Sequence, residues 1–349
     1  MLHYFVKPIV EYPVQFIVES INDEYVEIGN VINSIPPVKA KISVNSLVEH
    51  VFVTGSTGSG KTRTVAKIVN ELNSKKHDLS IIVIDWHDEY SKLVSGEALS
   101  PYSLPVNIID SKDPYSFVDL LIDVLELSGP QVYVLERVVR RYRDRISDLD
   151  SLIKILENDL DESSWMRESR YSILRKLYPL TRPDNANLFT NNAVHFSEQN
   201  LFRGTTIIRV SEIRDPLVKK TYVALLLKTI FNSLRNRRGW RTLVVLEEAQ
   251  NFLSRDKPIN LIASLLAEVR KFNMGLIVVS QSPSRLLEDA MINTNTKIIH
   301  SIKSSIDLEI ICKVLYLPFE YQKIIPYLDV GEAIVYTRGL KKPVIVRVE

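Results

Sequence analysis

The sequence predicts an α/β fold with a mainly parallel sheet, and three observations predict it. Short β-branched runs recur from Val51 onward, at 51–54 (VFVT), 80–85 (SIIVID), 205–210 (TTIIRV), 242–247 (TLVVLE), 275–280 (GLIVVS) and 297–302 (KIIHSI). Helical segments separate these runs, the pattern of a sheet with helices on its faces. The chain has 349 residues, of which 45% are hydrophobic and 25% charged. These are ordinary globular proportions, and a chain of this length buries a large core without metal or disulfide staples.

Taken in order, residues 1–35 are rich in Val, Ile, Tyr and Phe, with prolines and an Ile28-Gly29-Asn30 turn. They read as a few short strands or edge extensions, so residues 1–45 are expected to form a short N-terminal β segment. The core is expected over 46–114 and 200–349. Some 120 residues between the second and third runs lack strand character. Within them, residues 115–180 carry Leu, Arg, Glu and Asp at helical spacing, so 115–199 is expected to be a helical insertion into the core. Pro179, Pro183, Asn185 and Asn187 mark its exit. A final pair of strands, 332–337 and 343–348, flanks Gly339 and reads as a closing hairpin.

Forty-four Lys and Arg against 42 Asp and Glu give a formal charge of +2, so any basic binding site must be a local cluster. Cys312 is the single cysteine. It excludes an internal disulfide and a cysteine metal site and fits a reducing, cytoplasmic setting. Lys7, Glu11 and two prolines interrupt the first twenty residues, which read as neither signal peptide nor membrane helix. Nothing later approaches 18 uninterrupted apolar residues, so no membrane association is expected.

The strongest chemical signal is Gly55-Ser56-Thr57-Gly58-Ser59-Gly60-Lys61-Thr62, a complete G-x-x-x-x-G-K-[ST] phosphate loop between an apolar run and a helical segment. Its glycines let successive N–H groups approach phosphate oxygens, and the following helix adds its positive dipole end. Lys61 is expected to reach the β- and γ-phosphates and the Thr62 hydroxyl to hold Mg²⁺. The run Leu243-Val244-Val245-Leu246 ends in Glu247-Glu248. Adjacent carboxylates at a strand end point in different directions. Glu247 is assigned to the metal through water, and Glu248 to orienting the attacking water. Gln281, at the tip of the 275–280 run, is positioned to contact the γ-phosphate. Arg270 closes a helix with apolar positions Leu261, Ile262, Leu265 and Leu266. By itself it reads as a helix-end cation in preference to an arginine finger. No Asn-Lys-x-Asp segment supports a GTPase, since Asn295-Thr296-Lys297-Ile298 lacks the acid. The chain reads as an ATP hydrolase.

Several segments together resemble the HerA/FtsK group of ring-forming DNA-pumping ATPases, specifically its HerA branch. Besides the phosphate loop, Asp85-Trp86-His87-Asp88-Glu89-Tyr90 is similar to the family's D-P-H-G-E-Y, and Glu247-Glu248-Ala249-Gln250-Asn251-Phe252-Leu253 to its E-E-A-H-x-F-L. Val269-Arg270-Lys271-Phe272 resembles G-R-K-F, Ser280-Gln281-Ser282-Pro283 resembles S-Q-R-P, and Asn293-Thr294-Asn295-Thr296 followed by Asp307 resembles C-N-T…D. The resemblance implies a RecA-like phosphate-loop core, assembled as a homohexamer around double-stranded DNA with ATP between subunits. It makes Arg270 the trans-acting finger and Gln281 the sensor, and it places Asp85 and Glu89 in the wall of the site. Gln250, Val269 and Asp88 depart from the family's His, Gly and Gly. Family members carry an N-terminal β-barrel that helps form the ring and dock a NurA-like nuclease. With about 45 residues before the loop strand, that barrel is expected to be absent or a remnant.

Two arginine clusters are candidate phosphate contacts: Arg137, Arg140, Arg141, Arg143 and Arg145, and Arg235, Arg237, Arg238 and Arg241. Positions 137, 140, 141 and 145 share a helical face. Both clusters read as surface, the first ion-paired with Glu136, Asp144 and Asp148. Ser284-Arg285 and Lys303-Ser304-Ser305 are the alternative DNA loops. The expected function is an ATP-driven motor on duplex DNA. The alternatives are a packaging or conjugative-transfer motor of the same superfamily and a nucleotide-gated regulatory ring that moves nothing.

Overall fold

A computed structural model describes residues 24–75, 79–107, 114–159, 163–185, 187–189, 200–235, 241–337, 340 and 342–349. Its strands are β1 Tyr25–Val31, β2 Lys39–Ser43, β3 Val51–Thr54, β4 Ser80–Ile84, β5 Glu97–Leu99, β6 Thr205–Ile208, β7 Thr242–Leu246, β8 Met274–Ser280, β9 Thr296–Ile299, β10 Glu332–Tyr336 and β11 Val344–Val348. The helices are α1 Val44–Val48, α2 Lys61–Ser74, α3 Pro114–Val124, α4 Gly129–Tyr142, α5 Leu149–Asn158, α6 Ser164–Leu177, α7 Pro216–Arg235, α8 Asn260–Glu268, α9 Glu288–Ile292, α10 Ser305–Val314 and α11 Phe319–Ile324.

All eleven strands form one sheet in the order β2-β1-β11-β10-β9-β3-β8-β7-β4-β6-β5. The stretch from β9 to β5 is parallel, and β10, β11, β1 and β2 extend it antiparallel. Successive side chains of a strand face opposite sides, so each central strand feeds two cores. Val51 and Val53 of β3 pack with Val65, Ile68, Val69 and Leu72 of α2 on one face. Phe52 faces the other side, where the larger core gathers β4, β7 and β8 against α3 to α8. Burial on both faces is why the central runs contain almost no polar residues.

The helices of the expected insertion, α3 to α6, run between β5 and β6. Local capping explains their starts. The Asp148 carboxylate accepts the Ser151 N–H at 2.7 Å before α5, and Asp215 accepts the N–H groups of Leu217 and Val218 at the head of α7. Among its described residues the 120-residue interval does contain one strand, β5, which pairs with β6 through only three residues. That is too short to leave a periodic signal.

Gly29 is the second difference. It lies inside β1 at a bulge, not in a turn. At its φ of +153° a Cβ would stand 2.0 Å from the Arg347 carbonyl oxygen of β11, so only glycine allows the two strands to approach. The first 23 residues, where further short strands were expected, lie outside the described residues, as does Gly339. Among the described residues no helix is long and apolar enough to cross a membrane.

Candidate active site

The phosphate loop runs from the end of β3 to the first residue of α2, where the chain must turn with backbone N–H groups facing inward. Gly55, Gly58 and Gly60 make that turn at φ values of +151°, +76° and +112°. Gly55 has a second constraint, because a Cβ there would meet His300 Cβ at 2.6 Å. Lys61, almost fully buried, folds back so that its ammonium donates to the carbonyls of Gly55 at 2.8 Å and Ser56 at 3.0 Å. Burial lowers its pKa, and the carboxylates of Glu248, Glu247 and Glu89 oppose that shift.

The loop forms one wall of a cavity of about 360 Å³, lined by Thr57, Gly58, Gly60, Lys61 and Thr62 together with His87, Glu89, Glu247, Glu248 and Gln281. Residues separated by more than 200 positions are thus brought together by the strand order, in which β8 lies between β3 and β7. The placement of Gln281 between the loop strand and the acidic strand follows from the same order.

The paired glutamates do point differently. Glu247 is buried, and its carboxylate accepts the Trp86 N–H at 3.1 Å. Burial raises its pKa to about 8, and the nearby Asp85 carboxylate adds to the shift. Glu248 occupies the left-handed region at φ +48°, which turns its side chain away from that of its neighbour. One of its oxygens accepts from the Gln281 amide and faces His87 Nε2 at 3.3 Å; the other accepts from the Gln250 amide. Gln250 is itself held by the Ser280 hydroxyl at 2.8 Å, and Gln281 accepts from the Thr57 hydroxyl at 2.7 Å. The amide of Gln281 therefore bridges the phosphate loop and Glu248. Gln250, a departure from the family's His, still supplies a donor to this carboxylate.

Asp85 stands one layer behind the cavity. Fully buried at the end of β4, it accepts the N–H groups of Glu89, Tyr90 and Ser91 at 3.0–3.3 Å, and burial raises its pKa. It organises the loop that presents His87 and Glu89. Asp88 in that loop adopts φ +62°, a conformation that suits the glycine usual in the family. Trp86 packs edge-on against Phe252, with the Lys219 ammonium 4.9 Å above its ring.

Four contributors were not singled out from the sequence. His87 carried a signal, being inside the string that resembles D-P-H-G-E-Y. Trp86 acts through its backbone, which residue type does not reveal. His300, fully buried, places Nδ1 2.9 Å from the Glu332 carbonyl and Nε2 2.9 Å from the Thr64 hydroxyl. A carbonyl only accepts, so Nδ1 carries the proton and Nε2 accepts from Thr64. Burial lowers the His300 pKa to about 4. Val330, in the turn before β10, reaches the cavity from the opposite side to Gln281.

The DNA candidates fare differently. Lys303 N–H donates to Ser56 Oγ at 3.0 Å, and Ser56 N–H to the Ser301 carbonyl at 2.7 Å, so the loop after β9 buttresses the phosphate loop. Ser284 N–H donates to Asp307. α4 ends at Tyr142, so Arg145 lies in the following turn and not on the face of Arg137, Arg140 and Arg141. Arg141 pairs with Asp159, 3.4 Å away, an acid that was not among those expected from sequence. Arg241 donates to Asn45, and Arg237 and Arg238 lie outside the described residues. Arg270 sits in the helical turn between α8 and β8; its side chain lies outside the described residues.

A parallel sheet carrying a phosphate loop on β3, an acidic pair after β7 and a polar tip on the strand between them defines a RecA-like phosphate-loop NTPase. The comparisons with known proteins narrow that class. The model of the family "Helicase HerA, central domain" matches residues 26–230, and the chain belongs to this family. The chain is 24% identical over 355 residues to the DNA double-strand break repair helicase HerA of Sulfurisphaera tokodaii, covering 93% of this chain and 69% of that protein. With the HerA of Saccharolobus solfataricus the identity is 26%, over 94% of this chain and 69% of the relative. Among solved structures, VirB4 of Thermoanaerobacter pseudethanolicus superposes with a TM-score of 0.72 at 15% identity, over 93% of this chain and 96% of that one.

Proposed function

We propose that this protein hydrolyses ATP with Mg²⁺ and uses the energy to move double-stranded DNA through a homohexameric ring, with a nucleotide at each subunit boundary. One observation carries the reading. Glu248 is held by two amides in the same cavity as Lys61 and Thr62, the arrangement a phosphate-loop hydrolase needs for its water-orienting carboxylate.

The residues present fit the metal. Glu247 and Thr62 line one cavity, and the buried Glu247 carboxylate, pushed up to about 8, has several acids nearby and calls for a cation. Mg²⁺ bound there would neutralise charge on the β- and γ-phosphates. Thr62 would hold it directly and Glu247 through water. Lys61 exchanges the Gly55 and Ser56 carbonyls for phosphate oxygens. Glu248 holds the attacking water and takes its proton, while Gln281, bonded to both Thr57 and Glu248, carries the state of the loop to that carboxylate. Arg270 is proposed to reach the nucleotide of the adjoining subunit.

The test is ATP turnover with and without linear duplex DNA, alongside the mass of the assembly. Turnover raised by duplex, from a particle of six chains, is the expected result. A slow turnover that no DNA alters at any salt concentration would favour a nucleotide-gated ring that moves nothing.

A further inference from the structure

We infer that Val330 is the shelf on which the flat face of the nucleotide's purine base rests. The inference deepens the nucleotide reading above and rests on it. The cavity has a direction. Glu247, Glu248, Gln281, His87 and Glu89 all reach it from β4, β7 and β8, on one side of the phosphate loop. The γ-phosphate, the metal and the attacked bond belong at that end. The ribose and base must then leave past Gly60 and Thr62 toward β9 and β10, where Val330 lines the cavity.

Val330 is apolar yet 73% exposed, and lines the cavity together with the buried Val279. The turn that carries it is fixed to the phosphate loop. Gly331 N–H donates to the Ser59 carbonyl at 3.0 Å, and Val348 N–H to the Gly331 carbonyl at 2.9 Å. The buried Glu332 carboxylate accepts the Asp329 N–H at 3.0 Å and the Arg347 guanidinium at 2.7 Å. Gly60 and Gly331 touch so closely that a Cβ on Gly60 would lie 3.1 Å from the Gly331 nitrogen. An exposed valine held this rigidly costs little further entropy on binding and offers its methyl groups to a stacked ring.

Titration calorimetry with ATP and with tripolyphosphate, which has the phosphates but no base, tests this. In Val330→Ser, ATP should bind about 10-fold more weakly while tripolyphosphate changes less than about 2-fold, the ratio expected when only an apolar contact is lost. In Val330→Trp, ATP should quench the new indole and tripolyphosphate should not. Unchanged ATP affinity in the first variant with no quenching in the second overturns the shelf. Equal loss of both ligands in Val330→Ser also overturns it, because the turn would then act on the phosphate loop. A native protein that binds neither ligand would instead remove the nucleotide reading, and the shelf with it.

Discussion

At the scale of single residues, Glu248 and Lys61 divide the chemistry. The αL backbone at Glu248 turns its carboxylate out of line with Glu247, and the amides of Gln281 and Gln250 hold it there. Replacing Glu248 by Gln retains the size and removes the proton acceptor. Glu248→Gln should bind ATP but hydrolyse it at least ~100-fold more slowly, as measured by steady-state turnover beside equilibrium binding. Near-normal turnover would assign the base elsewhere. Lys61→Ala should lose nucleotide binding itself, because its ammonium is the charge held against the phosphate loop, 2.8 Å from the Gly55 carbonyl.

Among elements, the coupling of α2 to the loop after β9 and the start of β10 depends on one imidazole. His300 joins Thr64 of α2 to the Glu332 carbonyl and stays neutral because burial lowers its pKa to about 4. The sign of the consequence follows. Above pH 6.5 the ring is neutral in both folded and unfolded chains. Below that value the unfolded chain takes up a proton that the folded one refuses until about pH 4. Stability is therefore lost as the pH falls through this window, by roughly 3 kcal/mol in all. His300→Gln keeps a donor and an acceptor without a titrating group. The difference in urea midpoint between native protein and variant should shrink or reverse between pH 6.5 and 4. A difference that is constant across that range would show that His300 is protonated in the fold.

For the whole molecule, the ring hypothesis makes demands that one subunit cannot meet. If Arg270 serves the nucleotide of a neighbour, Arg270→Ala and Glu248→Gln should each be inactive alone. Mixed, they should regain some turnover, since some boundaries then pair an intact arginine with an intact glutamate. A dead mixture whose subunits demonstrably exchange, or a strict monomer working at full rate, leaves Arg270 as a helix-end cation. Duplex binding in a pore should rest on phosphate contacts. Affinity should then fall steeply with salt and depend little on sequence, which filter binding across salt concentrations would reveal. Strong sequence preference would contradict a motor.

The sequence by itself determined the features that local spacing encodes. These are the glycine turn and lysine of the phosphate loop, the acidic pair at a strand end, the central parallel strands and the helices of 115–180. Each depends on neighbours a few residues apart, so residue type and period suffice. Tertiary structure alone decided what depends on contacts across 100 or more positions. It joined β1 to β11 through Gly29 and turned His87 onto Glu248. It also bonded Lys303 to Ser56, although a basic residue in a loop reads equally well as a DNA contact. The reason is common to all of them. A hydrogen bond's partner is chosen by the order in which strands assemble, and that order is settled by burial on both faces of the sheet rather than by any single segment.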